Sequence, residues 1–555
     1  FEEFTWITMD FNKLKNRYGS LKAYRDLYIP LWQDISENLN PTSGFFDKDK
    51  GKKKRTIDYK KFLDSTPRQA ISILSSGMQS GITSPSRSWF TLGLSLGLRN
   101  LPNSVDVWLS NIKHLLEDIM SSSNIYQCLH QIYEETATYG TGCMIIDRDW
   151  NNVVHATTFT AGEYVLGKTV GANIDTFGRQ FVKTVGELVG EFGLENVSRN
   201  TRQMYENGKI DEEVNVYHMI MPNTGRNPEK VDNQNMPFIS VYWEDCGDSP
   251  LRVGGYKFFP VICPRWRVKS SSDIYGMGIG QEVLGDVKML QKMNQEKLIG
   301  LAKITRPPLQ VSSNVPGVVN LNPDDITRFN GSTDQSIMPV YKVQMDMQSL
   351  EYAIAQCEQR INKSFYVDIF SMLQTITQEK TAREVEELHS EKLMMLGPIF
   401  EMFKMEVLDN LINIIFQYAL DAGIVPEAPA DIQGQELSVE YVSMVAQAQK
   451  MSGVSATNQY LGVLFNLAQA DQSVLDNINF DVVARKTAKM IGVEPDMLND
   501  EKVVSAIREQ RAQQQAALAQ QQQAVNELQM AKEASDSELN KNSALDKAIQ
   551  AQGLE

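Results

Sequence analysis

Residues 279–303 read IGQEVLGDVKMLQKMNQEKLIGLAK. This stretch predicts one α-helix of about 25 residues, which at about 1.5 Å per residue would form a rod nearly 40 Å long. The run Arg306-Pro307-Pro308 ends the helix, because proline lacks a backbone donor and disfavours helical backbone in the residue before it. The rest of the chain can be arranged around this rod.

The chain beyond the rod alternates an insert with further helices. Residues 309–343 carry repeated turn signals and short strand candidates, so they are predicted to be loop-rich. A second helix is predicted from about Ser349 to Phe370, followed by an uncharged connector, Ser371–Gln378. A third helix is predicted from Thr381 to about Ala422, with a kink at Gly397-Pro398. Two long helices around one insert predict a hairpin-like rod with a cap at its tip.

The regions on either side of these helices differ in their residue patterns. Residues 1–47 have a helical pattern, whereas residues 142–262 contain β-branched and aromatic runs that predict strands at 143–146, 163–166, 213–217 and 238–243. Residues 430–500 are predicted to form a smaller helical unit. Residues 501–550 are rich in Ala and Gln, and their sparse apolar residues would not stabilise an isolated helix. The predicted fold class is therefore α+β and predominantly helical.

Composition limits the classes of function. The 555 residues include 42% hydrophobic and 22% charged residues and have a formal net charge of −15, which disfavours a protein that grips nucleic acid over its whole surface. The five cysteines are scattered, so a disulfide framework and a zinc cluster are disfavoured and a reducing compartment is expected. We expect no membrane span, because the most apolar stretch, around 411–420, is about half the ~20 residues required.

One motif points to an enzyme. Residues 162–169 read GEYVLGKT and fit the phosphate-binding pattern G-x-x-x-x-G-K-[ST]. A phosphate-binding loop needs a helix directly after it, whereas here Val170-Gly171-Ala172-Asn173 predicts a turn. The middle residues Tyr164, Val165 and Leu166 also favour a strand, so a β-hairpin is the preferred interpretation.

Other candidate sites have simpler explanations. Asp147 and Asp149 could share a cation, but a polar strand end is favoured because no further ligand cluster accompanies them. The series Gly276-x-Gly278-x-Gly280 lacks the last glycine of a dinucleotide loop and is interpreted as a flexible entry into the rod. The histidines form no close-spaced metal pair. We therefore predict no catalytic residues, no metal and no cofactor.

Several segments, in their order and spacing, resemble one family: the head-to-tail connector, or portal, proteins of short-tailed bacteriophages. The resemblance covers nearly the whole chain. The segments that carry it are 64–66, 74–85 and 89–90, Tyr139-Gly140-Thr141-Gly142, Gly162-Glu163-Tyr164, 264–266 with 275–278, 303–308, Thr381-Ala382-Arg383-Glu384-Val385 and Leu396-Gly397-Pro398.

The resemblance implies a subunit built from named parts. They are an α+β wing at 1–270, a first stem helix at 271–304, a clip at 305–343, a second stem helix at 344–370, a tunnel loop at 371–380, a long kinked wing helix at 381–425, a crown at 426–500 and a Gln-rich C-terminal helical barrel at 501–555. Copies in a barrel would bury the sparse apolar residues of the tail.

The resemblance also implies function. A ring, usually of twelve subunits, would stand at one capsid vertex, and double-stranded DNA would be packaged and ejected through its centre. Expected partners are the terminase large subunit, which supplies the packaging energy, tail adaptor proteins, and the major capsid and scaffolding proteins. The protein would be a virion component assembled in the host cytoplasm, without a membrane partner.

Three groups of residues are the candidate sites under this resemblance. The tunnel loop would offer Met372, Gln374, Thr375, Thr377 and Gln378 to passing DNA, and the stem would offer Lys288, Lys292 and Lys303. In the clip, Asn320, Asp324, Asp325 and Arg328 are the candidate contacts for motor and tail proteins. The stem lysines have a simpler explanation as members of i,i+4 ion pairs on a solvated helix face.

Two alternatives remain open at this point. The first is a nucleotide hydrolase that uses residues 162–169, with Lys168 on the phosphates. The second is a scaffold-like coiled-coil protein, which the predicted strands at 142–262 disfavour.

Overall fold

The computed structural model describes most of the chain. The described residues are 3–46, 61–94, 103–168, 173–305 (except 228, 231, 234 and 246), 309–310, 338–339, 346–371, 397–429, 437–441, 457–469, 472–491, 493, 497–499, 503–523, 526 and 530. They fall into two compact units. The first lies within 1–97, 111–428 and 434–449, and the second lies within 98–110, 429–433 and 450–555.

The first unit begins with helices. Their bounds are α1 Glu3–Asp26, α2 Ile29–Asn38, α3 Thr66–Ile82, α4 Asn103–Ser122, which extends into the second unit, and α5 Ile125–Tyr139. Pro30 and Pro67 lie in the first turns of α2 and α3, where the missing backbone donor costs nothing. Gly140, at φ +87°, ends α5 in the left-handed conformation that glycine adopts without strain.

Two antiparallel sheets form the β part of this unit. One has the order β3-β2-β9, with β2 Cys143–Asp149, β3 Val153–Phe159 and β9 Val261–Ile262. The other has the order β4-β5-β6-β7-β8, with β4 Tyr164–Gly167, β5 Thr176–Thr184, β6 Glu213–Pro222, β7 Phe238–Glu244 and β8 Arg252–Tyr256. The strands predicted between 142 and 262 are confirmed, and helices α6 Val185–Phe192 and α7 Arg199–Glu206 lie between β5 and β6.

The five-stranded sheet has a core on each face. One face packs Met219, Val241 and Trp243 against α1, which contributes Leu14 and Tyr18. The opposite face packs Val216 against Leu188 and Phe192 of α6. The alternation of apolar residues along β6 and β7 therefore serves two cores, as expected for a sheet covered on both sides.

The predicted rod is two helices in sequence. α8 Ile279–Glu282 and α9 Leu284–Thr305 are separated at Val283. The glycine series before them is a fixed junction and not a flexible entry. A Cβ at Gly278 would lie 2.5 Å from the Gly140 nitrogen, and one at Gly280 would lie 2.3 Å from the Thr138 oxygen. Glycine is needed here because two backbones touch.

The later helices also differ from the simple prediction. The second stem helix is α10 Met347–Ser364 followed by α11 Val367–Ser371, with Tyr366 at φ +56° between them. In the predicted third helix, α12 Gly397–Phe403 continues through a π-helical turn, Lys404–Leu408, into α13 Asp409–Asp421. The first part of this predicted helix, 381–396, lies outside the described residues. After Gly397-Pro398, where a kink was predicted, the helix departs from regular α-helical geometry at the π-helical turn.

Two short strand pairs complete the first unit. β1 Phe90–Leu94 pairs with β12 Leu437–Tyr441, so a strand lies inside the stretch 430–500 that was predicted to be helical. Pairing with a strand more than 340 residues away overrides local propensity there. β10 Leu309–Gln310 pairs with β11 Met338–Pro339 and so joins the two ends of the insert.

The second unit is helical where it is described. Helices lie at 457–468, at Phe480–Ile491 and at 503–523, with a 3₁₀ turn at Gln472–Asn477. Arg508 forms a bidentate ion pair with Asp481, and Phe465 stacks with Phe480 at 6.4 Å between ring centroids. The fold class is thus α+β with helix predominating, as predicted.

Candidate functional site in the stem

The antiparallel pair of α9 and α10 corresponds to the two predicted stem helices, and we call this pair the stem. Asp286 near the start of α9 binds Arg360 near the end of α10, with a nitrogen–oxygen distance of 2.8 Å. Farther along, Lys297 of α9 lies 3.1 Å from Glu351, near the start of α10. The two ion pairs fix one register for helices that run in opposite directions. α9 and α10 therefore lie antiparallel to each other, while most of the predicted insert between them lies outside the described residues.

The root of the stem is bound to the body by Gln291. This side chain is 4% exposed, and its oxygen accepts hydrogen bonds from the backbone N–H groups of Leu63 and Asp64 at 2.7 and 2.8 Å. Its amide nitrogen donates to the carbonyls of Asn38 and Asp64 at 3.1 and 3.0 Å. All four hydrogen-bonding positions of the side-chain amide are thus used. Sequence reasoning missed Gln291, since a glutamine inside a predicted helix carries no signal of burial.

A buried ion pair lies between the body and the π-helical turn. Glu406 accepts hydrogen bonds from the Arg265 backbone N–H at 2.7 Å, from Nε at 3.0 Å and from Nη2, while Nη1 donates to the Asp273 carbonyl at 2.9 Å. The two side chains are only 6% and 13% exposed. A buried pair with this many hydrogen bonds specifies geometry strongly, because removing one partner would leave a charge without compensation. The π-helical turn places Glu406 at this contact, a role typical of such turns.

The outer half of α9 leaves apolar side chains exposed. Leu298, Ile299, Leu301 and Ile304 are 58%, 38%, 40% and 45% exposed, and Tyr352 of α10 is 68% exposed. The inner half differs, because Val287 and Leu290 are completely buried. The stem therefore has a packed root and an apolar, accessible outer half.

The three candidate lysines of the stem have different surroundings. Lys288 Nζ lies 2.6 Å from Asp34 of α2, and Lys292 Nζ lies 2.8 Å from Glu296 one helical turn away. Lys303 is exposed and has no ion-pair partner within the described ranges. Their role in a channel stays a prediction. Among the three, only Lys303 forms no ion pair with a described carboxylate.

The surroundings of two carboxyl groups of the stem shift their pKa values. The hydrogen bond from Lys292 and the positive charge of Lys292 lower the pKa of Glu296. The charge of Lys303 lowers the same pKa further. Burial raises the pKa of Glu358, and the nearby Asp64 carboxylate adds to that rise. The stem surface therefore alternates in charge and is not uniformly basic.

The other candidate contacts lie outside the described residues. These are Met372, Gln374, Thr375, Thr377 and Gln378 of the tunnel loop and Asn320, Asp324, Asp325 and Arg328 of the clip. The structure does describe the residues that lead into the loop. Phe370 of α11 is buried, and a Cβ on Gly77 of α3 would lie 2.2 Å from its ring. The start of the predicted loop is thus held against α3.

The phosphate-loop motif is a β-hairpin, as predicted. β4 pairs residue by residue with β5, from Tyr164 opposite Arg179 to Gly167 opposite Thr176. Lys168 Nζ donates to the Ser271 carbonyl. Gly162, at φ +96°, packs against Phe45, since a Cβ there would lie 1.9 Å from the Phe45 oxygen. The residues that would cradle a phosphate are therefore part of a hydrogen-bonded ladder.

The described residues show no other reactive centre. Within them, no three His, Cys, Asp or Glu side chains converge as metal ligands. Cys128, Cys143, Cys263 and Cys357 are free and buried thiols. Among the helices that are described, none is both long and apolar enough to cross a membrane.

Comparisons with known proteins identify the family. The family model described as bacteriophage head to tail connecting protein matches residues 12–498. The "Probable portal protein" of Bordetella phage BPP-1 is 36% identical over 518 residues, which are 91% of each chain. The "Portal protein" of Salmonella phage epsilon15 is 36% identical over 511 residues, 90% of this chain and 91% of that one. This chain therefore belongs to the bacteriophage head-to-tail connecting, or portal, protein family, whose members are virion components.

A solved structure was also matched. It is titled the neck of an empty GTA particle computed with C6 symmetry and covers 71% of this chain and 86% of its own, with a TM-score of 0.32 and 9% identity.

Proposed function

We propose that this protein is one subunit of a ring, with twelve copies expected, at a capsid vertex, and that double-stranded DNA is packaged and ejected through the ring. In this proposal the stem lines part of the channel. The clip docks the terminase large subunit during packaging and tail adaptor proteins afterwards, while the wing meets the major capsid and scaffolding proteins. The ring is assembled in the host cytoplasm.

The proposal is supported by the arrangement of the stem, which has a fixed root and an exposed apolar outer half. Its root is fixed to the body by the four hydrogen bonds of Gln291, whereas Leu298, Leu301 and Ile304 are exposed in the single chain. Contiguous exposed apolar surface is unfavourable in a protein that works as a monomer and is typical of an interface. Copies of the same helix pair around an axis would cover these side chains.

Light scattering tests the ring. We expect assembled particles with a mass near twelve times that of the 62.6 kDa chain. The double variant Leu298→Glu/Leu301→Glu should lower the fraction assembled, because it places charges in the proposed interface. The matched control is Leu194→Glu, which changes a leucine of similar exposure between α6 and α7. A wild-type chain that stays monomeric under all assembly conditions would refute the ring.

A second experiment tests the DNA path. DNA carries regularly spaced phosphates, so lysines along a channel would make exchangeable, salt-dependent contacts. Replacing Lys288 and Lys292 by Gln should alter DNA passage in a salt-dependent way, and Lys303→Gln should have the largest single effect because Lys303 forms no ion pair with a described residue. Lys257→Gln, which removes a lysine paired with Asp421 in the body, is the control. An effect that does not depend on salt would indicate packing instead.

The tunnel loop can be tested separately. Shortening 371–378 should impair packaging or retention of DNA and leave ring formation intact. Both quantities can be measured on the same particles, the first from packaged DNA and the second from their mass. Failure of the ring itself would make the loop structural.

The proposed role needs no catalytic site in this chain. The energy for packaging would come from terminase, and no described feature favours the nucleotide-hydrolase alternative, because β4 occupies the position of the loop. Purified rings should therefore turn over no ATP. Turnover that is abolished by Lys168→Ala would overturn this part of the proposal.

A further inference from the structure

One face of the five-stranded sheet carries a row of polar side chains that the proposed channel does not use. Arg179 of β5 lies opposite His218 of β6, His218 opposite Tyr242 of β7, and Tyr242 opposite Arg252 of β8. Directly opposed residues in an antiparallel sheet point to the same face. We call these four residues the arginine row.

Arg179 lies between aromatic rings, and its Nε has no described hydrogen-bond acceptor. Its guanidinium carbon lies 5.0 Å from the ring centroid of Phe159 and 4.4 Å from that of Phe181. Its Nε is shielded from solvent and has no hydrogen-bond partner, and no described residue forms an ion pair with the group. Aromatic faces attract the positive charge but leave the N–H groups in the guanidinium plane unpaired. A shielded donor without a partner is costly, so an acceptor is expected here.

His218 provides a second unpaired nitrogen beside it. The side chain is completely buried, its ring stacks on Tyr242 at 3.8 Å between centroids, and its Nε2 lies 2.9 Å from the Ser240 hydroxyl. Its Nδ1 has no partner within the part of the chain that the structure describes. Burial, followed by the charges of Arg179 and Arg252, lowers the pKa of His218 well below its usual value, so the ring is neutral. When Nε2 accepts from Ser240, Nδ1 carries the proton and can donate to a ligand.

The nearby carboxylates do not satisfy these donors. Asp147 lies close enough to interact electrostatically with both arginines, but its Oδ1 accepts a hydrogen bond from the Tyr256 hydroxyl at 3.0 Å and neither arginine donates to it. Glu191 pairs with Lys183 and lies 3.9 Å from Arg252. The group therefore keeps donor capacity for a further acceptor.

Access to the row is available at Arg252. This side chain is 52% exposed, and its guanidinium carbon lies 4.8 Å from the ring centroid of Tyr242 and 5.2 Å from that of Phe192. The row thus runs from solvent at Arg252 to the shielded Nε of Arg179. A planar guanidinium between apolar rings is suited to bind two oxygens of one anion, since it presents paired donors in a fixed fork and is only weakly hydrated.

We propose that the arginine row is a binding site for a single oxyanion group, either a phosphate or a carboxylate. Arg179 is the principal donor, Arg252 closes the site on the solvent side, and His218 donates from below. The proposal is independent of the channel, because all of its residues lie on the five-stranded sheet and none lies on the stem.

Titration of the full-length protein with inorganic phosphate tests the site. At constant ionic strength, balanced with sodium chloride, we expect a saturable rise in melting temperature, because a ligand that binds only the folded state stabilises it. Arg179→Gln and Arg252→Gln should each weaken the apparent affinity at least about tenfold. Arg202→Gln is the matched control, since this partly exposed arginine donates to the backbone carbonyls of Leu194 and Glu195 and lies outside the row. No saturable effect, or an equal effect in all variants, would mean an adventitious ion only and would overturn the proposal.

Further arms identify the source of the oxyanion. Acetate and a short Asp-rich peptide are titrated in the same way. Tighter binding of the peptide than of phosphate or acetate would indicate the carboxylate of an acidic protein segment, and the reverse order would indicate free phosphate. If Arg179→Gln fails to fold, Arg252→Gln decides the result, because the Arg252 side chain is half exposed and an exposed ion pair such as the one it forms with Glu191 contributes little to stability. Arg179→Lys should bind more weakly than wild type, since it keeps the charge and loses the fork.

Discussion

Replacing Gln291 by leucine should loosen the root of the stem. The leucine side chain is similar in size, so the change removes four hydrogen bonds and creates little empty space. Each bond contributes about 1 kcal/mol net, and a shielded backbone group left without a partner costs about 1–3 kcal/mol. Water can reach part of the site, because the bonds to Leu63 and Asp64 are only partly buried. We therefore expect a loss of about 2–4 kcal/mol in the free energy of unfolding.

Hydrogen exchange measures this loss at the affected groups. The amides of Leu63 and Asp64 donate to the Gln291 oxygen, so their exchange should accelerate at least about tenfold in Gln291→Leu, where tenfold corresponds to about 1.4 kcal/mol. The matched control is Gln295→Leu, which changes an exposed glutamine one turn farther along the same helix. Unchanged exchange of the two amides in Gln291→Leu would refute the assignment of Gln291 as the anchor of the stem.

Three further variants test other parts of the fold. Glu406→Ala should lower the free energy of unfolding by about 3–5 kcal/mol, because it leaves the buried Arg265 charge unpaired, and urea denaturation measures the loss. His218→Phe should flatten the pH dependence of stability below about pH 6.5: the folded-state pKa is lowered, so wild-type stability is complete above that pH and falls by up to about 1.4 kcal/mol per unit as pH drops. Gly162→Ala should cost at least about 2 kcal/mol, seen as a lower melting temperature, because its Cβ would overlap the Phe45 carbonyl at a positive φ.

Each of these variants has a control in the same chain. Arg265→Met combined with Glu406→Leu should recover most of the loss, since no buried charge remains. Replacing the exposed His155 by Gln should leave the loss of stability at low pH the same as in the wild-type chain. Gly208→Ala, at φ +75° with nothing within 4 Å, should cost less than Gly162→Ala. The explanations fail if the double variant is as unstable as Glu406→Ala, if His218→Phe keeps the wild-type slope, or if the two glycine variants are equally stable.

Local sequence pattern predicted most of the secondary structure because the responsible signals are local. The runs at 143–146 and 238–243 favour strands through their own side chains, and Pro307-Pro308 follows the end of α9 at Thr305. The strand Leu437–Tyr441 was missed because its partner, β1, lies more than 340 residues earlier in the chain. No window of neighbouring residues contains that information.

The same reason explains the missed contacts at the root of the stem. Gln291 binds residues about 228 positions away, and Glu406 binds Arg265 across 141 positions. In sequence, each is an ordinary polar residue in a helical stretch. The i,i+4 ion pair that was the simpler explanation of the stem lysines is present between Lys292 and Glu296, whereas their role in a channel stays a prediction. Lys288, Lys292 and Lys303 look equivalent along one helix, yet the structure pairs the first two with Asp34 and Glu296.

The different pairing of these three lysines affects how such a stem could contact DNA. An exposed ion pair contributes at most about 1 kcal/mol to stability. Lys288 and Lys292 can therefore exchange their carboxylate partners for a passing phosphate at little cost in free energy. Lys303 needs no such release and lies near the apolar residues Leu301 and Ile304 at the outer end of α9. If copies cover those apolar residues, the same assembly would bring one Lys303 from every subunit to a common level. A ring of single, well-spaced cations would hold the duplex by weak contacts that salt can replace, whereas a uniformly basic stem would retain it. In the proposed channel, the acidic balance of the chain and the pairing of its inner lysines would therefore both help a polyanion to pass without adhering.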